Sequence, residues 1–324
     1  MGNGKKRYLV SGGAGFIGSN LVRKLVSLGN EVCVLDDMSR GHEGRLQGTH
    51  CYIHRGDIRD PDVVVKAMHG ADSVVHLAYK QGTQTFYEEP RQVLDVAMRG
   101  MLNVLAACEK TGCAELLLVS SSEAYQVAPQ VPTPEDIPLV VPDVLNPRYS
   151  YGGGKIACEI MSLAWARTGI LDRLIIARPH NIYGPDMGRE HVIPEFCIRM
   201  NRLIAEYPKG IIPFPIQGSG QETRSFCHIG DCVDQLVLLL DKAENMNVYH
   251  VGTMEERDIS QVAHAVAACY GREIKVIPGK LPQGSPPRRC PDTSKIETLG
   301  EFRFPGTLFE DGLAETAEWY KLNG

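Results

Sequence analysis

The stretch Gly12-Gly13-Ala14-Gly15-Phe16-Ile17-Gly18 constrains this chain more than any other. It follows an apolar, strand-like run, Tyr8–Ser11, and opens a segment in which Ile17, Leu21, Leu25 and Leu28 recur at helical spacing. A strand, a tight glycine turn and a helix, in that order, begin a dinucleotide-binding unit. The glycines at 12, 15 and 18 let the chain turn sharply and let a pyrophosphate approach the backbone. Free N–H groups and the dipole at the helix N-terminus favour that anion, with Phe16 and Ile17 beside it. Asp36 stands 18 residues beyond Gly18 and closes the next strand candidate, Glu31–Asp36. Its carboxylate can accept from the adenosine ribose hydroxyls and repels a 2′-phosphate, which selects NAD over NADP. Asp57 and Ile58 follow the third strand candidate, where they either bracket the adenine or simply close a loop.

Further strand candidates are Cys51–Arg55, Ser73–Ala78, Glu115–Ser120 and Arg173–Arg178, alternating with helix candidates near Pro61–Met68, Pro90–Thr111 and Ser150–Thr168. Asp60 is placed to cap the first of these helices. That alternation predicts an α/β fold with a doubly wound parallel Rossmann-type sheet. Beyond Pro179 the pattern changes, with periodicity kept around Val233–Leu240, Val248–Gly252 and Ile259–Tyr270. We read residues 1–178 as an NAD-binding domain, rejoined by about 225–253, and 179–324 as a smaller mixed substrate domain. Substrate then lies at the carboxyl ends of the strands. The proline-rich stretches Val127–Pro147 and Leu281–Pro291 read as ordered loops or lids over that crevice.

A net charge of -5 and a pI near 6.1 point away from nucleic acid and anionic membranes. No apolar run is long enough to span a bilayer, and no apolar signal region leads the chain. Gly2 hints at myristoylation, but Lys6 stands where Ser or Thr is wanted. Ten cysteines without a CxxC pair fit free thiols in a reducing cytoplasm and give no metal site.

Ser120-Ser121-Ser122-Glu123 ends the apolar strand Leu116–Val119 and so faces the crevice. Tyr151 and Lys155, four apart, share one helix face. An ammonium beside a phenol lowers the phenol pKa, as does a positive nicotinamide ring, so Tyr151 can serve as a base near neutral pH. Tyr149 cannot form this pair, because Gly153 lies four residues on from it.

With these residues in view, the chain resembles the extended short-chain dehydrogenase/reductases that act on nucleotide sugars as epimerases, dehydratases and decarboxylases. The resemblance covers nearly the whole chain. It rests on GGAGFIG, Asp36, DIRD at 57–60, HLA at 76–78, SSSEAY at 120–125, YGGGK at 151–155, RPHNIYGP at 178–185 and TRSFCHIGD at 223–231. It implies a nucleotide-diphosphate sugar substrate and Leu77 and Ala78 beside the coenzyme. Ser121 would bond the C4 hydroxyl, Tyr151 take its proton, and Lys155 hold Tyr151 and the nicotinamide ribose. Asn181 and Arg224 match positions at the diphosphate end of the substrate. It also implies a homodimer through the two long helices, with Val93, Val104 and Ile160 as interface positions unless they belong to the internal core.

A C4 ketone can be reduced from the other face, can permit exchange at C3 or C5, or can let a C6 carboxylate leave. The dehydratases carry Asp-Glu where Ser122 and Glu123 stand here, so the acid for an ordinary dehydration is missing. UDP-glucuronate decarboxylases are similar at Ser-Ser-Glu, at TRSFC and at Arg-Arg-x-Pro-Asp, where Arg289 could meet a carboxylate. Their loop after HLA is replaced here by Tyr79-Lys80-Gln81-Gly82. GDP-mannose 3,5-epimerase is similar at HNIYGP and at GRE followed by a basic residue, which would make Glu123 a base and His191 an acid. Epimerase is placed first on these grounds, and decarboxylase second. A net alcohol dehydrogenase and a non-catalytic nucleotide-binding relative are the rivals.

Overall fold

The structure is a computed structural model and describes residues 5–281, 284–300 and 304–324. Gly2, and residues 282–283 of the second proline-rich loop, lie outside the described residues.

Seven strands form one parallel sheet. They are β1 (Arg7–Ser11), β2 (Glu31–Asp36), β3 (Tyr52–Arg55), β4 (Ser73–His76), β5 (Glu115–Val119), β6 (Arg173–Pro179) and the later strand Asn247–Val251. Their spatial order is Asn247–Val251, β6, β5, β4, β1, β2, β3. The order reverses between β1 and β4, which opens the crevice expected at a switch point. Helices α1 (Phe16–Ser27), α2 (Pro61–Met68), α4 (Pro90–Thr111) and α5 (Tyr149–Ala166) cover the faces, with the short α3 (Thr83–Glu88) just before α4. Asp60 caps α2 as its sequence suggests, accepting from the backbone N–H groups of Asp62 and Val63.

Both faces of the sheet are dry. Val10, Val34, Leu117 and Ile175 belong to one apolar cluster, and Leu9, Leu35, Leu116 and Ile176 to the other. This is the two-sided burial that makes parallel strands read as continuous apolar runs. Leu28 departs from the helical stripe. It is the C-terminal cap of α1 and is 55% exposed.

The second half of the chain lends α7 (Ile229–Lys242) and strand Asn247–Val251 to the sheet layer. A separate apolar cluster gathers Phe196, Phe214, Val262 and Tyr320. It is built from α6 (Val192–Glu206), the strand Ile212–Pro215, the helix Ile259–Cys269 and the terminal helix Phe309–Asn323. The two proline-rich loops are stitched together. Thr133 donates its N–H to the Cys290 carbonyl and accepts from the Asp292 N–H, each at 2.8 Å. Arg288–Arg289 is a short strand parallel to Thr223–Ser225. Among the described residues, no helix is long and apolar enough to cross a membrane.

Candidate active site

A cleft of about 700 Å³ runs along the carboxyl ends of the strands, from Gly12 and Asp36 to Glu123, Arg224 and Arg289. Every residue singled out above as a site residue lines it: Gly12, Gly15, Phe16, Ile17, Gly18, Asp36, Asp57, Ile58, Leu77, Ala78, Ser121, Ser122, Glu123, Tyr151, Lys155, Asn181, His191, Arg224 and Arg289.

The glycines at the coenzyme end are sterically required. A Cβ on Gly18 would stand 2.1 Å from the Gly12 carbonyl oxygen, and one on Gly12 would stand 2.7 Å from the Ala78 nitrogen. The first turn of α1 carries no acidic residue, which leaves its N–H groups free for an anion. Asp36 accepts from the N–H groups of Ala14 and Met38, each at 2.9 Å. Burial pushes its carboxyl pKa up against these two bonds. Asp57 is bound by Arg59 at 2.6 Å, so its carboxylate braces the loop. Ile58 is buried beneath Gly100 of α4.

At the Glu123 end of the cleft, the three serines diverge. The Ser120 hydroxyl turns inward and donates to Glu159 at 2.5 Å, which in turn pairs with Arg178 at 2.6 Å in the interior. Ser121 is the N-cap of a 3-10 turn over Ser122–Tyr125 and accepts from the Glu123 N–H at 3.1 Å. Its hydroxyl also meets the Tyr151 phenol, the interaction that most counters the upward push of burial on that phenol. Ser122 is buried, with 4% exposure.

Lys155 Nζ donates to the Val119 carbonyl at 2.8 Å. Burial brings its pKa down to about 8. The Tyr151 ring is stacked on Phe86, with centroids 4.7 Å apart, and meets the edge of Tyr79 at 5.0 Å.

Glu123 Oε1 accepts from Arg289 Nη1 at 2.6 Å, with the two side chains 25% and 11% exposed. Burial alone would raise the Glu123 pKa. Arg289, then Arg148 and Arg224, bring it below the ordinary value. Arg289 Nη2 is buried and has no partner among the described residues. Arg224 is pushed down to about 10 by burial and then by the neighbouring Arg289. It donates to the carbonyls of Thr223 and Pro286 at 2.7 and 2.8 Å. Asn181 adopts a positive φ of 41° and donates to the Ser225 carbonyl at 2.9 Å.

His191 is in the cleft but differs from its expected state. Burial, then the nearby charge of Arg40, brings its imidazole down to about 4. It is therefore neutral at pH 7, not the partly protonated acid that an ordinary value of about 6.5 implies. Of the two alternatives left open for the long helices, interface or internal core, burial separates the positions. Val93 and Val104 are fully buried inside the subunit, because that face of α4 packs on the core, whereas Ile160 is 62% exposed.

Sequence reasoning missed Phe86, Tyr79, Arg148 and Arg40. Tyr79 had a signal, since it directly follows HLA and replaces the loop that the decarboxylases carry. The other three come from loops or short helices with no motif of their own.

Residues 8–252 match the NAD dependent epimerase/dehydratase family. The chain belongs to that family. Among curated relatives it is 29% identical, over 98% of both chains, to the UDP-N-acetyl-alpha-D-glucosaminuronate decarboxylase of Bacillus cytotoxicus. Its fold is similar to that of the UDP-glucose 4-epimerase of Thermotoga maritima solved with UDP-glucose, with a TM-score of 0.86 and 26% identity. That likeness covers 98% of this chain and 99% of the other. It is also similar to the dTDP-glucose 4,6-dehydratase of Streptomyces venezuelae solved with NAD. There the TM-score is 0.85 and the identity 27%, over 98% of this chain and 97% of the other. The protein is thus an NAD-dependent enzyme of nucleotide-sugar modification. The glycine cradle, the open N-terminus of α1 and Asp36 fit that coenzyme.

Proposed function

We propose that the protein oxidises the C4 hydroxyl of a nucleotide-diphosphate hexuronate, releases carbon dioxide from the resulting β-keto acid and reduces C4 again, with no net oxidation. The observation that carries this reading is the Glu123–Arg289 pair at the proposed sugar end of the cleft, with Arg289 Nη2 buried and without a partner among the described residues. A guanidinium offers several donors in a fixed fork. Here one arm holds Glu123, and the unmet donor Nη2 would serve a substrate carboxylate after a local shift that uncovers it.

The chain's own residues supply the steps. Ser121 holds the C4 hydroxyl, and Tyr151 takes its proton. Lys155 Nζ lies 5.8 Å from the Tyr151 ring centroid, and its positive charge would favour the ionised phenol on closer approach. NAD, held by the Gly12–Gly18 turn and Asp36, would supply the hydride acceptor for the C4 oxidation and the hydride donor for the closing reduction. Once C4 is a ketone, the C5–C6 bond breaks and carbon dioxide leaves, the bond's electron pair passing onto the C4 oxygen beside the Tyr151 and Ser121 hydroxyls; a proton from solvent then adds to C5 and restores the C4 ketone. Glu123, kept ionised by Arg289, orients the neighbouring sugar hydroxyl. Arg224, Arg148 and Asn181 lie towards the diphosphate. The division into a coenzyme part (1–178, rejoined at about 225–253) and a sugar part (179–324) is proposed on the same ground.

Epimerisation at C4 is the second reading. Ser121, Tyr151 and Lys155 serve it equally, and the likeness to the UDP-glucose 4-epimerase spans the whole chain. Exchange at C3 or C5 is less well supported, because a neutral His191 is a poor acid.

Incubation with UDP-glucuronate, UDP-N-acetylglucosaminuronate, UDP-glucose and UDP-N-acetylglucosamine, read by mass spectrometry and NMR, tests the choice. Loss of carbon dioxide from a uronate without added NAD being consumed is expected. Isomers of unchanged mass would refute decarboxylation in favour of epimerisation, and steady accumulation of NADH would refute both. Tyr151→Phe should abolish turnover on whichever substrate is used while retaining NAD.

A further inference from the structure

The catalytic helix contains an oddity, three consecutive glycines between Tyr151 and Lys155. Each costs roughly 0.8–1 kcal/mol of helix stability relative to alanine. The last of them has a definite steric role. A Cβ on Gly154 would stand 2.3 Å from the Tyr79 hydroxyl oxygen. With glycine there, that hydroxyl reaches the Tyr151 carbonyl and donates to it at 3.3 Å. The same ring lies under the Lys155 ammonium, with Nζ 4.0 Å from its centroid, against 5.8 Å for the Tyr151 ring. Tyr79 therefore touches both members of the proton-transfer pair, and it does so from the segment that follows β4.

We propose that Tyr79 is a positioning residue: its ring steadies the protonated form of Lys155, and its hydroxyl, admitted by the glycine at 154, fixes the helical turn that carries Tyr151. A neutral ring is well suited to this. It stabilises a cation through its quadrupole without offering a carboxylate that would hold Lys155 away from a coenzyme ribose. Burial keeps the Tyr79 phenol itself protonated. The other groups facing Lys155 are Cys158 and Glu159 on its own helix, His76 on β4 and the Val119 carbonyl on β5. Burial drives His76 down to about 3, so it carries no charge at neutral pH. Glu159 is already engaged by Arg178 and Ser120. The Tyr79 ring is thus the closest uncommitted support for the ammonium.

This inference rests on the reading of Tyr151 and Lys155 as the proton-transfer pair, but its test needs no substrate, so the two can fail separately. The NAD-saturated protein is labelled with 13Cε-lysine and titrated by NMR. The Lys155 signal is assigned by its absence in Lys155→Met. In Tyr79→Leu the titration midpoint is expected to fall by roughly half to one and a half pH units, the span that a desolvated cation–π contact supports. In Tyr79→Phe, which keeps the ring, it should move little. Gly154→Ala displaces the ring without deleting it, so the midpoint should fall by less than in Tyr79→Leu. That variant also carries the test if Tyr79→Leu does not fold. A midpoint that is unchanged or raised in the displaced and deleted-ring variants overturns the proposal. So does a fall in Tyr79→Phe as large as that in Tyr79→Leu.

Discussion

Replacing Arg289 by methionine probes the site's central charge pair. The substitution keeps an apolar stem of similar length and removes the guanidinium that sits 2.6 Å from Glu123. Breaking a buried pair by deleting one partner costs about 3–5 kcal/mol, because the remaining charge is stranded. Glu123 is 25% exposed and still feels Arg148 and Arg224. The expected loss is therefore smaller, roughly 1–3 kcal/mol at neutral pH. The sign follows from linkage. In the wild type, the folded-state pKa of Glu123 is lowered, so it contributes stability above the ordinary carboxylate value of about 4.3. That contribution fades as pH falls through the lowered value. With Arg289 gone, burial raises the folded-state pKa, and the penalty grows as pH rises past the ordinary value. The gap between Arg289→Met and wild type should therefore be widest at pH 7–8 and should narrow towards pH 4. Urea unfolding at both pH values measures it. The double variant Glu123→Gln/Arg289→Met should recover a large part of the loss at pH 7–8. A double variant no more stable than Arg289→Met at pH 7–8, or a gap that does not change with pH, would refute the reasoning.

Two further outcomes follow from contacts described above. Gly18→Ala places a Cβ 2.1 Å from a backbone carbonyl, so the phosphate turn must shift. NAD affinity should fall by at least tenfold in calorimetric titration, and near-normal affinity would show that the turn is not the coenzyme cradle. We also propose a homodimer through the outer faces of α4 and α5, where Leu94, Leu102 and Ile160 are exposed. Ile160→Glu should convert a dimer seen by light scattering to a monomer at micromolar concentration. A wild-type monomer would remove the proposal.

What could be read from the sequence was local. The phosphate turn, Asp36 and the Tyr151–Lys155 pair are set by spacings of a few residues within one strand, turn or helix. Such spacings survive whatever the rest of the chain does. Strand ends were less legible. Ser120 continues the apolar run in sequence, but its hydroxyl answers to Glu159 on α5, 39 residues away, and the strand stops at Val119. Val93 and Val104 show the same limit in packing. Helix α4 has apolar positions facing both inward and outward, and periodicity alone does not say which face meets a second subunit. His191 shows it in electrostatics. Its residue type predicts a partly protonated acid, whereas burial beside Arg40 makes it neutral.

The three glycines of the catalytic helix join these levels. As helix formers they conflict with the element they occupy, and such conflicts concentrate where function overrides local preference. Two of the three have a spatial reason. A Cβ on Gly152 would meet the Gln126 amide at 2.1 Å and the Glu123 carbonyl oxygen at 2.6 Å. This glycine lets the turn bearing Glu123 lie against the helix bearing Tyr151. Gly154 does the same for Tyr79. Gly153 has only the Val141 methyl at 3.4 Å, ordinary contact. The helix thus gives up intrinsic stability so that two separate segments can approach it. One carries the Glu123 carboxylate, and the other carries the ring beneath Lys155. Spacing singles out Tyr151 and Lys155 as the candidate pair, and the flanking glycines show how closely its neighbours come.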